Sequence, residues 1–113
     1  MSDCIWFRFL WVPTHVGGNR NPPIEGAYSE VRWYDMLSDP NHITHGIRWS
    51  AITYNSDSHE GIAKGDFLAE IPILEELLNP GKHLIFFAGP TIIAVGTIIP
   101  SAGLGEEALC IKE

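Results

Sequence analysis

The run from Gly81 to Ile98 constrains the fold of this chain more than any other segment. It reads Gly-Lys-His-Leu-Ile-Phe-Phe-Ala-Gly-Pro-Thr-Ile-Ile-Ala-Val-Gly-Thr-Ile. Two apolar, strand-forming stretches flank Ala88-Gly89-Pro90, and the second is rich in β-branched residues, which suit a pleated surface. This pattern predicts a hairpin with a tight turn, in which Gly96 marks a bulge or a close approach of another backbone. The segment carries no chemical group, so it speaks to architecture rather than activity.

The chain around it has 113 residues, enough for one domain with its own core. Four Trp supply large pieces of core or interface. No apolar run reaches the ~20 residues a membrane helix needs. The start, Met1-Ser2-Asp3-Cys4, lacks the basic opening of a signal peptide, so a cytoplasmic address is expected. Cys4 and Cys110 sit near opposite ends and would meet only if the first and last segments were neighbours; without a signal peptide they are read as reduced thiols. The net charge of −7 is unevenly distributed. Four Arg stand against five acids in residues 1–56, whereas residues 57–113 hold nine acids against three Lys. An acidic half of this kind repels phosphate backbones and attracts basic partners, so nucleic acid is not expected as a ligand.

Along the chain, Ile5 to Val12 reads as a mostly buried first strand, ended by Pro13. Pro13 to Gly26 is a long loop, and Ala27 to Tyr34 alternates around Val31 and Trp33 as a half-buried strand. A third strand is expected over Ile47 to Tyr54, after the polar stretch Asp35 to Gly46. Asn55 to Gly65 reads as a loop and Phe67 to Ile73 as a fourth strand, with Pro72 at an edge or bulge. Leu74 to Leu78 would form one helical turn before the hairpin, and a tail follows Pro100. Short strands with turn signals between them define an all-β barrel or sandwich.

Several of these residues together resemble a known family. Gly17-Gly18, Arg20, Pro22, Gly26 and Tyr28 are similar to the early glycine-glycine-arginine, proline, glycine-tyrosine loop of the C-terminal β-barrel domain of elongation factor Tu. Gly65-Asp66 stands where that family has proline-glycine-aspartate. Gly81 to Ile98 aligns with its terminal hairpin, ending in Ile93-Ala-Val-Gly-Thr. The chain thus resembles that domain, over roughly residues 4 to 99, as a free-standing small bacterial protein. The resemblance implies a six-stranded antiparallel Greek-key barrel over about residues 4–99; with the tail 100–113 the chain is expected to form a single domain, 1–113. The family's basic hairpin turn is replaced here by Ala88-Gly89-Pro90-Thr91. No Lys or Arg occurs from His83 through Ile111, so the phosphate contacts of a tRNA role are missing.

Candidate chemistry is sparse. His42 and His45 have an i, i+3 spacing that a helix could turn into a metal pair with Asp39 or Asp57, but the region reads as loop. Asp57, Ser58, His59 and Glu60 juxtapose a hydroxyl, an imidazole and acids; neighbours in sequence rarely point at one another as a triad requires. Glu75 and Glu76 diverge as sequence neighbours. No catalytic set, metal site or cofactor is therefore expected. Trp6, Phe7, Phe9, Trp11, Trp33, Tyr34 and Trp49 exceed what one barrel face needs: alternation sets Trp6 opposite Phe7, Phe9 and Trp11. Any of them exposed beside Arg8 or Arg32 would anchor a protein interface. The expectation is a non-catalytic protein-binding domain. Its concrete form is an immunity or inhibitor protein whose acids Asp57, Glu60, Glu70, Glu75 and Glu76 cover a basic toxin such as a nuclease. The alternatives are a translation-associated factor using Arg8, Arg20, Arg32 and Arg48 on RNA or a ribosomal component, and a small hydrolase or metal-dependent enzyme.

Overall fold

The computed structural model describes residues 4–13, 23–34, 44–68 and 78–100. Six strands cover most of them: β1 (Cys4–Trp11), β2 (Tyr28–Trp33), β3 (His45–Asn55), β4 (Glu60–Phe67), β5 (His83–Ala88) and β6 (Thr91–Ile99). Every pairing is antiparallel, and the strands close into a barrel in the order β1-β4-β3-β2-β5-β6. β2, β3 and β4 follow one another as a meander and β1 lies beside β4, which is the Greek-key arrangement. Closure gives every strand a hydrogen-bonded neighbour on both sides over part of its length. Among the described residues no helix is long and apolar enough to cross a membrane.

The closure rests on a large-against-small rule. The inward side chains of β1 are Ile5, Phe7, Phe9 and Trp11, all buried. Most of their cross-strand neighbours are small: Gly65, Ala63 and Gly61 on β4 face Ile5, Phe7 and Phe9, and Gly96 and Ala94 on β6 face Phe9 and Trp11, the exception being Ile98 opposite Phe7. β1 thereby fills the lumen that its two neighbours leave empty, as dense interior packing requires. A Cβ on Gly96 would stand 2.8 Å from the Arg8 carbonyl oxygen and 3.2 Å from Phe86. The close backbone approach expected there is present. The bulge of this hairpin lies three residues earlier on the same strand: opposite the Phe86–Phe87 step of β5, β6 carries the extra residue Ile93, which points inward beside Ala94.

Trp49 on β3 is the hub of the core. Its ring lies 5.0 Å from each of Phe7, Phe9 and Phe86, and 5.7 Å from Trp11, in edge-on arrangements that suit the ring quadrupoles. Its indole N–H donates to Ser29 Oγ at 2.9 Å, so the buried polar atoms of both residues are satisfied. Another cluster is formed by Trp33 stacked on Phe67 (6.0 Å), with His45 edge-on to both.

Three expectations need correction. Residues 60–65 are not loop but the bulk of β4; only residues 56–59 turn, and Phe67 ends a strand rather than beginning one. Residues 69–77, which hold most of the expected fourth strand and helical turn, lie outside the described residues, as does the tail from Ser101. Cys4 is disulfide-bonded rather than a free thiol; Cys110, the other cysteine of the sequence, lies outside the described residues. The hairpin is as the sequence predicts: Ala88 pairs with Thr91 across Gly89-Pro90, and Gly89 adopts φ 60°. Glycine at the first central position with positive φ, followed by a residue whose φ is fixed by its ring, matches a type II′ turn.

Candidate functional site

Aromatic side chains fill the barrel, so a binding site among the described residues belongs to the outer surface. The outward positions of β1, β6 and β5 form cross-strand rows there. Leu10 pairs with Val95 and Val95 with Ile85; Arg8 pairs with Thr97 and Thr97 with His83. These rows, with Tyr34 and Glu60, line a groove of about 430 Å³. Its floor is apolar and open to solvent: Leu10 is 45% exposed, Val95 39% and Tyr34 59%. Exposed apolar surface of this kind, rimmed by polar groups, makes the groove a candidate interaction site.

Two charges of opposite sign flank the floor. Glu60 opens β4 opposite Leu10, and Arg8 pairs with Ile62 two residues along the same ladder. They are therefore diagonal neighbours on adjacent strands. Among the described residues neither side chain has an ion pair or a hydrogen bond. Both also line a second groove of about 350 Å³ on the other side, with Thr53, Tyr54, Asn55, Ser58 and Ile62. At the far rim His83 Nδ1 and Thr97 Oγ1 share a hydrogen bond of 3.0 Å.

Of the acids expected to bind a partner, Asp57 lies exposed on the β3–β4 turn and Glu60, also exposed, opens β4 just after it. Glu70, Glu75 and Glu76 lie outside the described residues. The same turn holds the Ser-His-acid cluster. Asn55 Oδ1 accepts from the backbone N–H of Asp57 (2.8 Å) and of Ser58 (3.4 Å), closing the turn. His59 adopts φ 62°, and its Nδ1 shares a 3.3 Å hydrogen bond with the Tyr54 hydroxyl rather than with Ser58. The chain does not aim the Ser58 hydroxyl at His59.

The other candidates are spread apart. His42 lies outside the described residues, and His45 is packed against Trp33 and Phe67, where burial lowers its pKa below 6.5. Among the described residues no group of three His, Cys, Asp or Glu converges. Arg48 pairs with Asp66 at 3.4 Å. Arg32 donates from Nε to Thr44 Oγ1 at 2.7 Å and stacks over Phe87 at 5.0 Å. Around the barrel Arg8 on β1 is separated by β4 from Arg48 on β3, whose neighbour β2 carries Arg32, and on the β4 strand between them Arg48 is paired with Asp66. Arg20 lies outside the described residues.

Of the aromatic set, Phe7, Phe9, Trp11, Trp33 and Trp49 are core, Trp6 is half-buried on the outer face, and Tyr34 is exposed in the groove. The groove itself escaped the reading of the sequence. Its signal was the apolar character of β6 at both parities: Ile92 and Val95 face outward while Ile93 and Ile98 face inward. Fold and site together define a small closed Greek-key barrel with a solvent-facing apolar groove. No protein-family model, no curated protein and no solved structure matches this chain.

Proposed function

We propose that the chain is a non-catalytic protein-binding domain. Its concrete form is an acidic immunity or inhibitor protein that neutralises a basic toxin such as a nuclease. The observation that carries the reading is the exposed acidic turn of Asp57 and Glu60 beside an apolar groove on an otherwise filled barrel. Apolar floor and charged rim are what a protein interface combines. A net charge of −7 would steer a basic partner toward the surface. The proposal includes descent from a barrel like the C-terminal domain of elongation factor Tu, supported by the six-stranded Greek-key ring. It leaves out the RNA role, because the hairpin turn carries no basic residue.

A cytoplasmic address is part of the proposal. The disulfide at Cys4 favours an oxidising compartment instead. Free-thiol counting on protein isolated from the host decides between them.

The test of function is affinity capture followed by mass spectrometry, with the recovered partner titrated against the wild type and Asp57→Lys. The expected partner is a basic protein whose association slows about tenfold or more between ~50 and ~500 mM salt, and again with Asp57→Lys. Salt-independent capture, or an acidic partner, overturns the reading.

A further inference from the structure

The groove over β1, β6 and β5 has charge chemistry that is complementary to itself. A surface of one sign would call for a different molecule of opposite sign. This one carries one cation, Arg8, and one anion, Glu60, side by side and unpaired among the described residues. A guanidinium and a carboxylate one diagonal apart on adjacent strands attract each other, yet here both remain open to a second surface.

Symmetry supplies that surface. Two copies meeting face to face are related by a two-fold axis lying in the contact plane, and each residue then meets its mirror position across that axis. For Arg8 to meet Glu60, the axis must pass midway between them and at right angles to the line joining them. In the register of the ladders, Glu60 lies one strand to one side of Arg8 and two residues further along. With strands ~4.8 Å apart and ~3.4 Å per residue, that axis runs obliquely from β4 over Leu10 and on past Val95. The apolar row therefore lies along the axis and meets its own copy, while the two charge pairs flank it.

We propose that this groove is the two-fold interface of a homodimer, in which Arg8 of each subunit pairs with Glu60 of the partner subunit across the row of Leu10 and Val95. Because β1, β6 and β5 are paired on both sides beneath this groove, the contact is made by side chains and not by sheet extension. Asp57 does not line this groove, so it stays available to a different partner. The dimer takes the groove and Glu60 for itself, so if it forms, the toxin reading is left with Asp57 and the β3–β4 turn alone.

The experiment is sedimentation equilibrium of the full chain alone, from about 5 to 300 µM, the range expected for a modest interface. The wild type is compared with Arg8→Glu, Glu60→Arg, the double exchange and Val95→Lys. Thermal melts first establish that each variant is folded, and any variant that is not is replaced by the neutral Arg8→Gln or Glu60→Gln. Dimerisation is expected in the wild type. Each single reversal should weaken it about tenfold or more, and the double exchange should restore it to within about threefold. Val95→Lys should yield monomer, with a melting temperature equal to that of the wild type diluted below its dimerisation range. A wild type monomeric throughout, a dimer indifferent to the single reversals, or a double exchange that restores nothing overturns the proposal. Failure here leaves the affinity-capture test intact, since that test reads Asp57 and a foreign partner.

Discussion

Trp49 concentrates two kinds of energy in one side chain. Its ring touches four other aromatic rings, and its N–H satisfies the buried hydroxyl of Ser29. Trp49→Phe removes ring volume and leaves Ser29 without a partner, so a loss of about 2–4 kcal/mol is expected from cavity and desolvation together. The double variant Trp49→Phe/Ser29→Ala should regain part of that loss, because the orphaned hydroxyl is gone. Urea unfolding of the pair of variants measures both effects. His45 offers a second prediction at this scale. Burial against Trp33 and Phe67 lowers its pKa below 6.5, so between the folded and unfolded values the unfolded chain binds more protons. Stability present above pH 6.5 is therefore lost as the pH falls through the folded value. Melting temperatures taken from pH 7.5 down to 5 should fall less for His45→Phe than for the wild type. Equal slopes would remove His45 from the account.

Among the elements, the β1–β6 seam is one place where a single atom decides closure. The Arg8 carbonyl oxygen would lie 2.8 Å from a Cβ on Gly96, with the Phe86 ring on the other side, so neither neighbour can yield cheaply. Gly96→Ala should cost about 1–3 kcal/mol by overpacking. Its signature should be local: amide exchange along β1 and β6 rises more than along β3. A uniform rise would show the seam to be unexceptional. The same elements explain what the sequence could convey. β1, β2, β3 and the terminal hairpin were legible because their own residues alternate or cluster in strand fashion. β4 was not, because Gly61, Ala63 and Gly65 contribute space and not side chains. Glu60-Gly-Ile-Ala-Lys-Gly-Asp looks like loop until Phe9, Phe7 and Ile5 are laid opposite it. The groove was hidden for a related reason. Arg8, Glu60, Val95 and Tyr34 belong to four segments, and pairing register alone makes them neighbours. Gly96, by contrast, announced a close approach from within a single β-branched run.

On the scale of the whole molecule, the barrel is closed by its first strand. β1 pairs with β4 on one side and β6 on the other, so it joins parts of the chain that are otherwise far apart. Such non-local pairing bears a large loop-closure entropy. Cys4, the first residue of β1, is disulfide-bonded, and a covalent link at that position restricts the unfolded chain where the closure cost is greatest. Reduction should therefore lower stability by about 2–4 kcal/mol, which corresponds to a fall in melting temperature of about 10 °C or more for a domain of this size. Calorimetry with and without reductant, paired with thiol labelling of the native protein, reads both parts of this expectation. Protein that labels at Cys4 before reduction, or melts at the same temperature after it, would leave strand pairing and the packing of Phe7, Phe9 and Trp11 to hold the barrel shut unaided.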